Sequence, residues 1–315
     1  MKNNKETKFV VKLLAFDVGG TEIKYALMED TLTIADRGYV PTPSDCFDSF
    51  LALIREIYLP YKDEIDGIAM CLPGLVDVVR GHCSICGAMK YPHSIEVGHI
   101  LSETCGCSVI LENDGKAAAL AEHEYGSIQG CQNAAVFLIG TGVGGGLIIN
   151  NKIVRGPTFR AGEFSFVNTD ADHYYDPGQT VGSRCSTTFL LSRYQELNGS
   201  PKAISGHEFF RSLPEDVNAQ SALDELCGNI AVQLFNLFWL LDLERVAIGG
   251  GISKQPILIE RIRNKFSEVQ EKAMTARFRT PLPLEIVPCH FSSDANLIGT
   301  CITYKTIIGK THGKS

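Results

Sequence analysis

The stretch AVFLIGTGVGGGLIINNKIV, Ala135 to Val154, decides between two folds. Gly140, Gly142 and Gly145 fit G-x-G-x-x-G, the spacing of a dinucleotide-binding turn. In that fingerprint the glycines open a helix whose N-terminal amides hold a pyrophosphate. Here the residues after Gly146 are LIINNKIV, β-branched and apolar around Asn150-Asn151, which is the chemistry of a strand running into a hairpin turn. The acidic residue expected about 20 positions on, to hold a ribose, is supplied only loosely by Glu163. The stretch therefore predicts strand, glycine turn, strand, and disfavours an NAD(P) oxidoreductase. A helix after Gly146 would revive that reading.

The same plan occurs once more, in VVKLLAFDVGGTEIKYALM from Val10 to Met28: an apolar strand, a Gly-Gly-Thr turn and a second, alternating strand. Two such loops, well over a hundred residues apart, suggest two related lobes. Between them helical spacing over Cys46 to Tyr61 alternates with a strand, EIDGIAMCLPG, ending at Pro73-Gly74, and a short helix in EVGHILSETCG. SVILEND, Ser108 to Asp114, reads as a strand, and GKAAALAEHEYG as a helix closed by Gly126. The second half predicts helices over Thr187 to Leu197, Gly206 to Ser212 and Ala222 to Leu241. RVAIGGGIS follows as strand and turn, PILIERIRNKFSEVQEKA as helix, PLEIVPC as strand, and a closing helix after Asp294. Alternating strands and helices imply a largely parallel sheet behind each hairpin.

Bulk properties bound the function. With 315 residues, 44% hydrophobic and 21% charged, the chain suits α/β material in two domains. A net charge of −7 and a pI near 5.6 provide no basic face for nucleic acid. MKNNKETKFVVKLLAF lacks the apolar core and cleavage site of a secretory signal. The longest apolar run, IAVQLFNLFWLLDL from Ile230, falls short of the ~20 residues of a membrane span and reads as a buried helix. Eleven cysteines without an export signal suit reduced cytoplasmic thiols. Cys83-x-x-Cys86 and Cys105-x-Cys107, with His82, His93 and His99 nearby, offer unlike spacings for a zinc site, and ordinary thiols are the better reading. GKTHGKS at the C-terminus is one residue short of a Walker loop and reads as a solvated tail.

Glycine hairpins can hold phosphate without a helix. Amides exposed at a tight turn converge on phosphate oxygens as an anion nest, assisted by hydroxyls such as Thr21 and Thr141. Either loop alone could be an ordinary turn. A third cluster, Gly249-Gly250-Gly251, strengthens the phosphate reading.

The ordered set Asp17-x-Gly19-Gly20-Thr21-x-x-Lys24, Glu112-Asn113-Asp114, Gly140-Thr141-Gly142-x-Gly144-Gly145-Gly146, Ala161-Gly162-Glu163 and Ile248-Gly249-Gly250-Gly251 closely resembles the ROK family of bacterial sugar kinases and regulators. The resemblance covers nearly the whole chain. It implies a two-lobed actin-like, ribonuclease-H-like α/β fold with a cleft between lobes, residues 1–115 plus about 295–315 forming one lobe and 116–294 the other. It also implies ATP and Mg²⁺ as cofactors and a sugar as substrate. ATP would be held by Gly19, Gly20, Thr21, Lys24, Thr141, Gly142, Gly144, Gly145, Gly249, Gly250 and Gly251. Asp17 would bind Mg²⁺ directly or through water, or else cap its turn. Asp114 is the candidate general base, with a helix N-cap as the alternative. Asn113, Asp114 and Glu163, with the Pro73-Gly74 turn, would contact the sugar, unless Glu163 is a surface glutamate and Pro73-Gly74 a plain turn.

The chain departs from the family where a Gly-His pair and a cysteine cluster usually bind structural zinc. Phe164-Ser165-Phe166 follows Glu163, and the next segment offers only Cys185, so no zinc is expected. RAGEFSF and the Cys-Ser-Thr-Thr helix start resemble a zinc-free branch that includes bacterial β-glucoside kinases. Glucokinase, N-acetylmannosamine kinase and fructose kinase remain alternatives. Phe164, Phe166, Tyr174 or Tyr175 could stack on a larger sugar, or could be core and surface aromatics. A sugar-sensing regulator of the same family would need a helix-turn-helix ahead of the first hairpin, for which MKNNKETK provides no room. A cytoplasmic homodimer is the expected state.

Overall fold

The computed structural model describes residues 11–85, 94–199, 203–273 and 280–312. The chain divides into two compact units, one of Met1–Ala121, Pro157–Phe159 and Ser293–Ser315, the other of Glu122–Gly156 and Arg160–Ser292. Cys86 and His93 of the candidate zinc cluster lie outside the described residues, as does the end of the GKTHGKS tail.

In the first unit, β1 (Leu13–Val18), β2 (Glu22–Met28), β3 (Ile34–Pro41) and β4 (Gly67–Leu72) join a later strand, β7 (Ser108–Asn113), in the order β3-β2-β1-β4-β7. β1 to β3 are antiparallel, whereas β1, β4 and β7 run parallel. A small hairpin, β5 (Leu75–Asp77) with β6 (His82–Ile85), follows the Pro73-Gly74 turn. Alternation along the strands gives the sheet two different faces. Leu14, Phe16, Ile68, Met70, Leu72, Val109 and Leu111 pack under α1 (Phe47–Tyr58) and α2 (Val97–Cys105). The intervening positions of β1 and β4 include Ala15, Asp17, Gly67, Ala69 and Cys71, small enough for a helix to approach. At Gly67 a Cβ would lie 2.2 Å from the Tyr304 hydroxyl. The early turns of α3 (Asp114–Tyr125) and the closing helix belong to this unit.

The second unit repeats the strand order. β8 (Ala134–Ile139), β9 (Val143–Ile149), β10 (Lys152–Ile153), β11 (Arg245–Gly249) and β12 (Glu285–Pro288) lie as β10-β9-β8-β11-β12. β9 is antiparallel to β8 in continuous register, so a strand, not a helix, follows the glycines of the opening stretch. Asn150 and Asn151 have φ of 51° and 59°, the left-handed pair of a two-residue hairpin leading into β10. The dinucleotide reading ends there.

Between β10 and β12 lie α4 (Val181–Arg184), α5 (Thr187–Asn198), α6 (Gly206–Ser212), α7 (Val217–Leu241) and α8 (Pro256–Ala273); α9 (Ala295–His312) closes the chain in the first unit. α7 begins five residues before the predicted Ala222, because Asp216 accepts the amides of Asn218 and Ala219 and starts the helix there. Its apolar C-terminal run is not the buried helix predicted from sequence. Ile230, Ala231, Leu234 and Phe238 are buried, but Val232, Asn236, Trp239 and Leu240 are exposed, an amphipathic helix whose outer stripe is largely apolar. Among the described residues no helix is long and apolar enough to cross a membrane.

One predicted glycine contact is structural. Gly145, φ 155°, is buried in β9, and a Cβ there would lie 2.2 Å from the Val136 carbonyl and 2.6 Å from the Phe164 ring. Gly145→Ala should therefore cost about 2 kcal/mol of stability through overpacking and an unfavourable φ, read as a lower urea midpoint. An unchanged midpoint would contradict this packing.

Candidate active site

In the first unit the turn after β1 is closed by the Gly19 amide donating to the Glu22 carbonyl at 2.9 Å. Thr42 braces it from β3's end, its amide donating to the Thr21 carbonyl at 2.9 Å and its hydroxyl to the Gly19 carbonyl at 2.7 Å. The carbonyls are used inward, while Gly20 and Thr21 are exposed. Such a turn can present amides to an anion. Asp17 and Lys24 are direct cross-strand partners behind it.

Asp17 shares a face with Cys71, its register partner on β4. The Cys71 thiol donates to Asp17 Oδ1 at 3.2 Å, and Asn296 of α9 donates its side-chain amide to the same oxygen at 3.0 Å. Cys71 is fully buried. Burial first, then the nearby charges of Asp17 and Asp114, hold its thiol well above the usual range. It is therefore a neutral donor.

β7 ends in Glu112-Asn113-Asp114. Asn113, not Asp114, caps α3: its Oδ1 accepts the Lys116 amide at 3.0 Å. The same side chain donates through Nδ2 to the Gly74 carbonyl at 2.9 Å and to Asp114 Oδ1 at 3.1 Å. Asp114 Oδ1 also accepts the Gly115 amide at 2.8 Å. The carboxylate proposed as base is thus half-buried, is not the cap of α3, and accepts two donors on Oδ1. Asn113 is 4% exposed and already engaged with the Pro73-Gly74 turn, so a sugar contact by its oxygen would use the remaining lone pair. Glu112, fully buried, accepts the Asn113 amide at 2.9 Å and the Thr303 hydroxyl of α9 at 3.0 Å.

In the second unit, Gly140-Thr141-Gly142 forms the turn between β8 and β9, with the Gly140 amide donating to the Gly142 carbonyl at 2.9 Å. The start of α5 fixes it: the Thr187 amide donates to the Gly140 carbonyl and the Thr188 hydroxyl to the Thr141 carbonyl, both at 2.8 Å. Ser165 Oγ accepts the Val143 amide at 3.2 Å. Thr141 and Gly142 are exposed, Gly144 is half-buried and Gly145 is buried. Gly250, φ 94°, passes so close to β8 that a Cβ would lie 2.2 Å from the Ile139 carbonyl. The third glycine cluster is thereby brought beside the second turn. Gly249 is buried, and Gly250 and Gly251 are exposed.

A cavity of ≈ 540 Å³ opens beside Gly250, walled by Pro256 and Ile259 of α8 and by Cys289 and Phe291. Glu122 orders its far wall by accepting the amides of Ser127, His290 and Phe291 at 2.7, 3.0 and 2.7 Å. Glu163 is half-buried, and Gly162, φ 78°, seats its segment against Gly146.

Where the family carries cysteines, Val167 to Thr169 pair with Gln179 to Val181. The Thr169 amide donates to Gln179 at 2.7 Å and the Val181 amide to Val167 at 2.8 Å. Cys185 belongs to the hydrophobic core, and burial pushes its thiol up to about 12. Phe164 is core as well, stacked on Phe137 with ring centroids 5.5 Å apart, so it is not available to a sugar. Phe166, Tyr174 and Tyr175 are more than two-thirds exposed, at 73%, 74% and 72%.

Sequence reasoning missed Thr42, Cys71, Ser165, Thr188 and Asn296. Strand parity places Cys71 on one face of β4, but only the pairing of β4 with β1 shows that Asp17 is its neighbour.

Paired sheets of identical strand order, each with a glycine turn after its first strand, define the actin-like class of kinase fold. The ROK family pattern matches residues 13–307, and the chain belongs to the ROK family. It is 31% identical to a β-glucoside kinase of Listeria monocytogenes over 81% of this chain and 87% of that protein. A ROK family protein from Streptococcus pneumoniae, solved in complex with sucrose, superposes with a TM-score of 0.82 at 27% identity, covering 95% of this chain and 100% of that one. A ROK glucokinase from Streptomyces griseus, solved with glucose and AMPPNP, shares the fold at a TM-score of 0.77 and 22% identity, over 92% and 98% of the two chains.

Asn113→Ala should cost about 1 kcal/mol by loss of the cap and about 10²-fold in turnover by loss of the contact that orients Asp114. Asn113→Ser keeps a capping oxygen but cannot reach Asp114, so melting should recover and turnover should not. Joint recovery would show that the cap alone matters.

Proposed function

We propose that the chain is an ATP-dependent sugar kinase that phosphorylates the 6-hydroxyl of a glucose unit, with β-glucosides such as cellobiose as its substrate class. The observation that carries the reading is the carboxylate of Asp114, released from capping by Asn113 and held through Oδ1 by two donors. The 31% identity to a β-glucoside kinase supports the substrate class.

Phosphoryl transfer needs fixed phosphates, neutralised charge and a group that takes the hydroxyl proton. The exposed turns at Gly19 to Thr21 and Thr141 to Gly142 are the phosphate-holding groups, with Lys24 close to the first. The cavity beside Gly250 suits an adenosine, apolar along Pro256, Ile259 and Phe291 and polar at Lys254, Glu260 and Arg263. Glu163 accepts hydrogen bonds from ring hydroxyls and Pro73-Gly74 borders the sugar. As the substrate 6-hydroxyl attacks the γ-phosphorus, the bond from that phosphorus to the β,γ-bridging oxygen breaks, ADP leaves, and Asp114 takes the hydroxyl proton. Mg²⁺, when bound, neutralises charge on the phosphates, and a carboxylate such as Asp17 fits it as a hard oxygen ligand, direct or through water.

We assign the chain to the cytoplasm, which accords with buried thiols at Cys71, Cys185, Cys227 and Cys301. A homodimer accords with the apolar stripe Val232, Trp239 and Leu240, since exposed apolar patches commonly mark association surfaces. Light scattering should give twice the chain mass, and a monomer would contradict the assignment.

A coupled ADP-release assay across glucose, cellobiose, gentiobiose, N-acetylmannosamine, fructose and allose should give the highest kcat/KM on the β-linked disaccharides. Turnover on none of them would contradict the kinase reading. Asp114→Asn should cost on the order of 10²- to 10⁴-fold in kcat with little change in melting temperature. Near-normal turnover would remove Asp114 as the base.

A further inference from the structure

We propose that Cys71 and Asn296 are positioning residues that set the Asp17 carboxylate for the divalent cation: both donate to Oδ1, which leaves Oδ2 as the ligand oxygen. The proposal rests on Asp17 as the cation-holding carboxylate.

A carboxylate at the end of a strand turns easily about its last torsion, whose wells are broad. A cation that demands near-ideal octahedral geometry needs that freedom removed. Two donors on one oxygen remove it. They come from different elements, Cys71 from β4 at 3.2 Å and Asn296 from the first turn of α9 at 3.0 Å, so together they fix the carboxylate plane. Among the described residues no other side chain hydrogen-bonds to Asp17, and no ion pair joins it to Lys24 opposite.

Both donors are held rigidly. Cys71 is paired on both sides, with Asp17 in β1 and Glu112 in β7. α9 is seated by Gly299, where a Cβ would lie 1.8 Å from the Ala117 carbonyl, and by Tyr304 donating to the Asp66 carbonyl at 3.0 Å. Thr303 adds its hydrogen bond to Glu112.

The chemistry of the donors fits the task. Neither donor is a lysine or arginine, whose positive charge would compete with a cation at this carboxylate. A soft sulfur beside a hard cation is also a poor competitor for it.

The test is a titration of Mn²⁺ by electron paramagnetic resonance in the presence of ADP, using the full-length chain with melting measured alongside. Cys71→Ala and Asn296→Ala should each weaken Mn²⁺ binding by about 10-fold, leave cellobiose affinity by calorimetry unchanged, and raise the Mg²⁺ concentration needed for half-maximal turnover. Cys71→Ser, which restores a donor, should recover most of the affinity. A purely structural role for the thiol would not show that rescue. Asn296 is half-buried in a first helical turn, so Asn296→Ala carries the test even where Cys71→Ala perturbs packing. Wild-type Mn²⁺ affinity in both alanine variants, with affinity lost in Asp17→Asn, overturns the positioning and leaves Asp17's role intact. Wild-type affinity in Asp17→Asn overturns that role and the positioning with it.

Discussion

The parallel pairing of β1, β4 and β7 in one register is the constraint on which the first unit depends. It lines up Asp17, Cys71 and Glu112 across three strands, and brings Asn113 and Asp114 out at the same carboxyl end. A slip of one residue would turn Asp17 into the apolar layer under α1 and α2, and Phe16 out of it. The hydrophobic pattern that holds the core therefore also holds the chemistry. α9 reads the same register from the other face, through Asn296 near the strand ends and Thr303 on Glu112.

Two of the carboxylates proposed for the chemistry, Asp17 and Asp114, each accept a pair of donors on Oδ1. Asp17 Oδ1 takes a thiol and an amide side chain, and Asp114 Oδ1 takes a backbone amide and the Asn113 side chain. Group transfer rewards this arrangement, because orientation fixed before the reaction need not be acquired during it. The glycine turns follow a similar economy. Their carbonyls are tied back by Thr42 in one unit and by Thr187 and Thr188 in the other, and the turn tips stay exposed.

Much of this was legible in the residues. The β-branched run after Gly146 and the Asn150-Asn151 pair specify a hairpin by local chemistry, and the structure has that hairpin. Most helices follow from periodicity and caps. β3 was not read, because Ile34–Pro41 is largely exposed and has no clean alternation. Gly145 was read as a phosphate contact because motif spacing cannot distinguish an exposed turn from a glycine under an aromatic ring. Phe164, open in the sequence between sugar contact and core, is core, and the outer face of α7 departs from the buried helix expected, for a related reason: composition says that a residue is apolar, and only packing says which side is covered. Cys71 and Asn296 lie 225 positions apart and meet only through the sheet and α9. Asn113 illustrates a subtler limit, since Asn and Asp cap equally well and the sequence could not say which of two adjacent residues does so.

The central claim is that Asp114 faces the reacting hydroxyl, and a crystal structure with cellobiose and a non-hydrolysable ATP analogue tests it most directly. The account predicts a sugar 6-hydroxyl within about 2.6 to 3.2 Å of the Asp114 carboxylate. A bound sugar whose hydroxyl is met instead by another carboxylate, with Asp114 turned away, would contradict it.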